Sequence, residues 1–329
     1  MSTYFITGGL GFLGQHIVQA IHDFDPQGKL RVLTRTQRKT FLDLEKLDRV
    51  EWIRGELTLP ESFAEHLKGV DTVIHSAAMV SFAKSDAQKV FDANVIGTRN
   101  LAQAARKAGC KNFIFISSIS AVEFRPPQMT DEALIPDLED KKKNDIYGYT
   151  KRMSEIELCE PKNDMRVVML NPSVILGPGS ERVGSAINAI RKFPVLPMMD
   201  YVNAFVDVRD VARAVILALT KGRSGERYIV SSHNMSMMEF TRAIVKELGK
   251  KTRVFSISPF GVRIADGFIA ILDILRLNPG IRRPSQMNVD KPCSNEKIKN
   301  KMGWKPGFTL EQSIVDSISS GPNNGDKVK

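Results

Sequence analysis

The sequence predicts an α/β protein with a doubly wound parallel sheet and a smaller, mainly α C-terminal lobe. Short apolar segments alternate with amphipathic ones through the first two thirds of the 329 residues. A tight glycine turn follows the first of them, and prolines accumulate after Asn171. Strands and helices that alternate with short turns are typical of a parallel sheet covered by helices on both faces.

The candidate strands are short, and most are apolar throughout, as strands buried on both faces usually are. They are Thr3–Thr7, Leu30–Thr34, Val50–Arg54, Thr72–His75, Asn112–Ile116, Val167–Leu170 and Arg227–Val230. The segments between them place apolar residues at helical spacing. These candidate helices are Leu13–His22, Ala87–Ala108, Tyr147–Leu158 and Val208–Thr220.

Composition excludes several classes of protein. The chain is 42% apolar and 26% charged, as ordinary globular proteins are. The net charge of +10 comes from dispersed residues without a nucleic-acid-binding motif, so a phosphate-bearing small molecule explains it better than DNA or RNA. Three widely spaced cysteines predict neither a disulfide nor a metal site. Without a visible secretion signal or an 18-residue apolar run, we expect a cytoplasmic protein with no transmembrane segment.

The strongest local signal is the run Thr7–Gly14 (TGGLGFLG), which ends the first strand and opens the first helix. Glycines allow such a tight turn and let backbone amides approach a pyrophosphate at the positive helix end. In this context the run predicts a dinucleotide-binding Rossmann domain, although a purely structural turn is the alternative. The cofactor-binding candidates here are Thr7, Gly8, Gly11, Phe12, Leu13 and Gly14.

The second strand leads into Thr34–Lys39 (TRTQRK), where NAD enzymes of this type usually carry an acid for the ribose. A guanidinium can hold a 2′-phosphate through two parallel hydrogen bonds. We therefore expect NADP(H) to be preferred over NAD(H), with Arg35 as the recognising residue and Arg38 as a second contact. A solvated basic turn is the alternative.

Composition changes near Asn171, where four prolines follow: Pro172, Pro178, Pro194 and Pro197. Helix and strand then return up to Val230. We expect an NAD(P)-binding domain of residues 1–171 plus about 204–230, and a substrate-binding lobe of about 172–203 plus 231–315. The polar residues 320–329 predict a disordered tail.

Tyr147 and Lys151 are four residues apart, on one face of a predicted helix. A phenol is a poor base at neutral pH, but an adjacent ammonium stabilises the phenolate and so lowers the phenol pKa. Such a tyrosine can exchange a proton with a substrate oxygen. Ser118 follows the strand Asn112–Ile116, at the edge where doubly wound sheets bind ligands, and can donate a hydrogen bond to that oxygen.

With these motifs the sequence resembles the extended and atypical short-chain dehydrogenase/reductases, the NAD-dependent epimerase/dehydratase family. Besides the glycine turn and the Ser118, Tyr147 and Lys151 set, further segments carry the resemblance. They are Arg54–Leu57, His75–Ala78, Asn94–Thr98, Phe205–Val211 and Met302–Pro306. The resemblance covers almost the whole chain, but Glu56 stands where the family usually has aspartate.

The resemblance implies roles for individual residues. Tyr147 is the acid/base, and Lys151 lowers its pKa and holds the nicotinamide ribose. Ser118, with Ser117 as the alternative, orients the carbonyl, and Asn94 holds a water or helix backbone. The further cofactor contacts implied are Glu56, Leu57, Ala77, Ala78 and Pro172. A homodimer is also expected from the resemblance.

Asn171–Pro178 (NPSVILGP) resembles the dihydroflavonol-reductase-like and 3β-hydroxysteroid-dehydrogenase-like members. This favours an NADP(H)-linked oxidoreductase that reduces a ketone or aldehyde, or oxidises the alcohol. The alternative is a sugar-nucleotide epimerase or dehydratase with tightly bound NAD, in which basic residues hold a diphosphate: Arg191, Lys192, Arg282 and Arg283. A non-catalytic cofactor sensor is disfavoured because tyrosine and lysine are both present.

Two further segments carry expectations. The charged insertion Leu138–Asn144 is expected to be a solvated loop, or alternatively a cover for the pocket mouth. In residues 262–277 the charges Arg263, Asp266, Asp273 and Arg276 fall on one helical face and leave a wide apolar face. We expect this helix to pack over the substrate lobe, with a pocket lid or a weak membrane-surface contact as the alternatives.

Overall fold

The computed structural model describes residues 2–36, 40–159, 164–274 and 289–320, and it confirms the predicted α/β class. All of the predicted strands are present in one seven-stranded parallel sheet, with at most two residues added at an end. Their bounds are β1 Thr3–Thr7, β2 Lys29–Thr34, β3 Val50–Arg54, β4 Thr72–His75, β5 Asn112–Ile116, β6 Arg166–Pro172 and β10 Glu226–Val230.

The predicted helices are present as well, with one interruption. They are α1 Phe12–Phe24, α2 Ala87–Phe91, α3 Gly97–Lys107, α5 Ile146–Leu158 and α7 Val208–Lys221. The segment predicted as one helix from Ala87 to Ala108 contains a π-helical turn at Asp92–Ile96, between α2 and α3. Such turns often mark functional sites, and this one contains Asn94.

The strand order β10-β6-β5-β4-β1-β2-β3 places β1 where the chain reverses its winding direction. One apolar layer packs α1 and α7 against the sheet through residues such as Ile17, Ile21 and Val215. The other layer packs α3 and α5 through Leu101 and Leu158. Because both faces of the sheet are covered, ligands have access at the carboxyl ends of the strands, beside β1.

The rest of the described chain forms a smaller α/β region that includes short strands the sequence analysis missed. They are β7 Val174–Leu176, β8 Val195–Met198, β9 Val202–Asp207, β11 His233–Ser236 and β12 Arg253–Ser256. The remaining helices there are α6 Glu181–Lys192, α8 Met237–Glu247, α9 Pro259–Ile274 and α11 Leu310–Ser319. Helix α10 Glu296–Met302 packs on β10 and α7 and so adds to the core of the central sheet. Strands β11, β9 and β7 form one small sheet, and β12 pairs with β8. The domain boundaries at residues 171, 204 and 231 stay predictions.

The expectation of a solvated loop at Leu138–Asn144 was wrong, because these residues form a helix, α4. Asp137 caps it by accepting hydrogen bonds from the backbone N–H groups of Glu139 and Asp140, at 2.8 and 3.1 Å. Lys141 is buried, and its ammonium donates to the carbonyl of Ser120 at 2.8 Å. The insertion is therefore part of the structure that supports the loop after β5.

Some expectations fall outside the described residues. These are the roles of Arg38, Arg276, Arg282 and Arg283, and the tail beyond Ser320. Within the described ranges, none of the helices is long and apolar enough to cross a bilayer. Nor do those ranges contain a cluster of three metal-ligating side chains.

Candidate active site

A cleft of about 540 Å³ lies at the carboxyl edge of the sheet, around the ends of β1 to β4. Eight of the predicted cofactor residues line it: Thr7, Gly8, Gly11, Arg35, Glu56, Leu57, Ala77 and Ala78. Phe12, Leu13 and Gly14 form the first turn of α1 behind the glycine turn and are not among the lining residues. Pro172 is buried at the end of β6 and does not line this cleft either.

The glycine turn has a steric requirement at two positions. Gly8 has φ +75°, and a Cβ there would lie 2.6 Å from the backbone nitrogen of Ala77. A Cβ on Gly14 would lie 1.9 Å from the carbonyl oxygen of Gly8. Gly11 precedes α1 and has no side chain to cap it, so the first N–H groups of the helix stay available for an anion. This cradle fits a dinucleotide pyrophosphate.

The opposite end of the cleft carries charge. Arg35 and Glu56 follow β2 and β3, and both side chains are exposed while lining the cleft. The backbone N–H of Glu56 donates to Ser62 Oγ at 2.9 Å, which fixes the turn after β3. If a dinucleotide bound with its pyrophosphate at the glycine turn, its adenine base and its ribose 2′-phosphate would lie close to these side chains.

A buried histidine connects the floor of the cleft to the neighbouring helix. His75 Nε2 donates to Thr98 Oγ1 at 2.9 Å, because the hydroxyl of Thr98 is itself a donor to the Asn94 carbonyl. His75 Nδ1 accepts from Thr7 Oγ1 at 2.6 Å, and that hydroxyl accepts from the N–H of Ala77 at 3.2 Å. Burial lowers the pKa of His75 to about 3, so its imidazole is neutral.

Asn94 joins the cleft to α5. Its side-chain oxygen accepts from the N–H of Met79 at 2.8 Å, and its amide donates to the carbonyl of Met79 at 3.0 Å. The same amide donates to Thr150 Oγ1, also at 3.0 Å. The partners of Asn94 are therefore a loop backbone and a helix side chain, and they hold the cleft wall against the helix that carries Tyr147.

The helix with Tyr147 packs closely against the loop after β5, the serine loop (Ser117–Ala121). A Cβ on Gly148 would lie 2.4 Å from the carbonyl oxygen of Ser120, so glycine is required for this approach. The ring of Phe82 meets the ring of Tyr147 edge-on, with centroids 6.0 Å apart. Tyr149 is a second phenol in the first turns of the same helix, and its ring stacks on the ring of Phe91 with centroids 6.5 Å apart.

Lys151 is buried on the same helix, one turn after Tyr147. Its ammonium donates to the carbonyl of Ile116 at 2.7 Å and lies 4.8 Å from the centroid of the Phe115 ring. Burial lowers its pKa to about 7, against an opposing effect from the carboxylate of Glu155. The helix thus carries a desolvated cation to the end of β5.

The two serines after β5 have different surroundings. Ser117 is buried, and its hydroxyl donates to Glu155 at 2.6 Å. Ser118 is half-buried, and its hydroxyl oxygen accepts from the N–H of Ser120 at 3.1 Å. Because the proton of Ser117 is already used within the protein, this geometry favours Ser118 as the serine that donates to a ligand.

Sequence reasoning missed the polar residues behind the site: His75, Thr98, Thr150, Glu155 and Asn171. They supply the hydrogen bonds that hold Asn94 and the serine loop. One signal was available, since Glu155 follows Lys151 by four residues and so continues the helix face of Tyr147. The other residues are dispersed along the chain.

The sequence and fold match known proteins over most of the chain. The model of the NAD dependent epimerase/dehydratase family matches residues 4–231. Sterol demethylase protein B of Methylococcus capsulatus is 31% identical over 96% of this chain and 97% of its own length. The 3-beta-hydroxysteroid dehydrogenase of Mycolicibacterium neoaurum is 24% identical over 95% and 89%. The crystal structure of gox2253 shares the fold, with a TM-score of 0.82, 24% identity and coverage of 97% and 98%.

Proposed function

Because the chain belongs to the NAD-dependent epimerase/dehydratase family, we propose that it reduces a ketone or aldehyde with NADP(H), or oxidises the corresponding alcohol. The broader class is established: the chain is an NAD(P)-dependent enzyme of the extended short-chain dehydrogenase/reductase type. The resemblance to reductases and hydroxysteroid dehydrogenases is confirmed by relatives with those names.

One observation carries the proposed reaction, namely the close approach of the Tyr147 helix to the serine loop at Gly148. This approach supports a site at the end of β5 in which the Tyr147 phenol, the Lys151 ammonium and the Ser118 hydroxyl act together. A bound nicotinamide supplies or accepts the hydride. In the reducing direction, Tyr147 donates its hydroxyl proton to the carbonyl oxygen of the substrate. Ser118 donates a hydrogen bond to the same oxygen, and Lys151 stabilises the phenolate that remains.

NADP(H) specificity rests on Arg35. The side chain is exposed at the end of β2 and lines the cleft. A guanidinium in that position forms charge-assisted hydrogen bonds with a 2′-phosphate, whereas the ribose diol of NAD(H) would need an acceptor there.

The substrate that we infer is lipophilic, and the face of α9 supports this. Its large apolar side chains Phe260, Ile264 and Phe268 are 72%, 59% and 62% exposed. Val262 and Ile269 pack inward. The predicted apolar face is thus turned toward solvent. Exposed basic side chains on α9 itself and on β12, Arg263 and Arg253, suit contact with an anionic lipid surface. Two relatives bear names that refer to sterols or hydroxysteroids.

Flotation tests the lipid contact. The protein should rise with vesicles that contain phosphatidylserine, and Phe260→Ser with Phe268→Ser should keep it at the bottom of the gradient. Phe24→Ser changes an exposed phenylalanine on α1 and serves as the control. Wild-type protein that stays at the bottom would refute the contact. Light scattering on the same protein variants, in buffer without vesicles, tests the expected homodimer. If the double serine variant is monomeric where the wild type is dimeric, the α9 face joins two copies instead.

The cofactor experiment tests the reaction type. Freshly purified protein is denatured, and the released dinucleotide is identified by mass spectrometry. NADP(H), or a cofactor readily exchanged for added NADPH, is expected of the reductase. Tightly held NAD would instead favour the second candidate, a sugar-nucleotide epimerase or dehydratase that returns its hydride to the substrate. In that case Arg191 and Lys192, both exposed at the end of α6, are the residues to test for diphosphate binding.

A further inference from the structure

We propose that Glu155 is a positioning residue for this site, which fixes the serine loop through Ser117 and Asn171 and places a carboxylate one helical turn from Lys151. The inference rests on the proposed function, because it assigns Glu155 a role in the reaction of Tyr147. Glu155 lies on α5 two turns after Tyr147, has no exposed surface and is not among the residues that line the cleft.

The carboxylate is linked directly to the serine loop. Its Oε1 atom accepts from Ser117 Oγ and from Asn171 Nδ2, both at 2.6 Å. The same Asn171 amide donates to the carbonyl of Ser118 at 3.0 Å. Thus one carboxylate oxygen holds the residue before Ser118 directly and holds Ser118 itself through one amide. The direction of the Ser118 hydroxyl depends on these bonds.

Two guanidinium groups hold the other side of the carboxylate. Arg152 Nη1 lies 2.9 Å from Oε2, and Arg227 Nη1 of β10 lies 3.5 Å from it. Arg227 also donates to the carbonyl of Glu132. Three hydrogen-bond donors and one further guanidinium therefore surround this buried carboxylate. Replacing the carboxylate by a neutral group would leave two guanidinium groups without their counter-ion.

The same charge acts on Lys151, one helical turn away. Two ionisable groups interact with Lys151: Glu155 on its own helix and His75 on β4. Burial lowers the Lys151 pKa to about 7, and Glu155 is the group that raises it. Because His75 is neutral, Glu155 supplies the negative charge that favours the ammonium. Without Glu155, Lys151 would lose its proton at a lower pH.

The test compares Glu155→Gln with Glu157→Gln. Glu157 is two residues further along the same helix, where its carboxylate pairs with Arg99 away from the site. We expect Glu155→Gln to move the alkaline limb of the kcat profile down by about one pH unit and to lower kcat about 10- to 100-fold, with a smaller change in KM. Glu157→Gln should leave the profile and kcat unchanged.

A readout without turnover accompanies the kinetics. In protein labelled with ¹³C at lysine Cε, the titration midpoint of the Lys151 signal should fall in Glu155→Gln and stay in place in Glu157→Gln. If Glu155→Gln fails to fold, Ser117→Ala removes one hydroxyl donor without unpairing a charge. We then expect a loss in kcat of about tenfold with the alkaline limb unchanged.

The inference is overturned if Glu155→Gln matches Glu157→Gln in both pH profile and Lys151 midpoint, or if Ser117→Ala keeps full kcat. Tyr147→Phe, measured in parallel, separates this failure from that of the proposed function. A fully active Tyr147→Phe would refute the proposed reaction itself. An inactive Tyr147→Phe beside an unaffected Glu155→Gln would refute only the role of Glu155.

Discussion

The glycine turn and the serine loop both lie at the carboxyl edge of the central sheet, but different forces hold them in place. The turn depends on the absence of side chains, since a Cβ on Gly14 would lie 1.9 Å from the Gly8 carbonyl oxygen. The serine loop depends on buried polar groups, with Lys151 bound to Ile116 and Glu155 bound to Ser117. A steric requirement is visible as glycine in the sequence, whereas a buried polar network is not.

The largest effect on stability is expected from filling the turn. Gly14→Ala places its Cβ against a backbone carbonyl that cannot move aside, so the turn and the start of α1 must shift. We expect a loss of about 2–3 kcal/mol in stability and at least a 100-fold loss in NADPH affinity. Thermal unfolding and NADPH fluorescence titration measure the two.

Gly267→Ala is the matched control for the turn. No heavy atom lies within 4 Å of the added Cβ at this helical position, so stability should stay equal or rise by up to about 1 kcal/mol. If Gly14→Ala and Gly267→Ala had the same stability and NADPH affinity, the close contact between residue 14 and the Gly8 carbonyl would not be the reason for glycine in the turn.

The same contrast explains how far the sequence could predict the site. Thr7, Gly8 and Gly11 could be assigned to one cleft because the motif is contiguous and its steric reason is local, whereas Ala77 was implied by the family resemblance. The partners of Ser118 and Lys151 are dispersed along the chain, and only folding brings them together. Glu155 is also a residue that sequence reasoning missed, although its four-residue spacing from Lys151 on the helix was a usable signal.

The fold follows a similar pattern. The strands of the central sheet could be predicted because both faces are buried, which makes them short and apolar. Strands Val195–Met198 and Arg253–Ser256 are only four residues long and largely exposed. The first contains a proline and the second mixes polar and apolar residues, so periodicity did not reveal them. Helix α4 was mistaken for a loop because its charges hide a capping aspartate and one buried lysine, Lys141.

The next effect is expected from removing the buried ammonium of Lys151, which lies at the end of β5 beside the serine loop. Lys151→Met should lower activity about 1,000-fold. It should nevertheless raise the stability of the cofactor-free protein at pH 6–7 by about 1–2 kcal/mol, after allowing for the lost hydrogen bond to Ile116.

The gain in stability should depend on pH. Below the folded pKa of about 7, Lys151 is charged in both the folded and unfolded protein, so folding carries the full cost of burying the charge. As pH rises from 7 toward the unfolded value of 10.5, the folded form loses its proton first and this cost disappears. Urea unfolding should show that the free energy of unfolding of Lys151→Met exceeds that of the wild type by less at pH 9.5 than at pH 6.5. An advantage that grows with pH would contradict the burial argument.

The smallest effect is expected at the exposed end of the cleft. Arg35→Ala should lower the ratio of NADPH to NADH affinity about tenfold, because it removes a screened contact to one phosphate. Arg54→Ala, an exposed arginine at the end of β3 that does not line the cleft, should leave the ratio unchanged. If Arg35→Ala also left it unchanged, the assignment of NADP(H) specificity to Arg35 would be wrong.

The central claim is that Tyr147 supports net hydride transfer from NADPH to a carbonyl. NADPH carrying deuterium at the transferring position of C4 is incubated with a panel of lipophilic ketones and aldehydes, and the alcohols are analysed by mass spectrometry. We predict one deuterium on the carbinol carbon with the wild-type enzyme and at least a 100-fold lower yield with Tyr147→Phe. Unreduced ketone with deuterium retained on the cofactor, or an equal yield from Tyr147→Phe, would contradict the account.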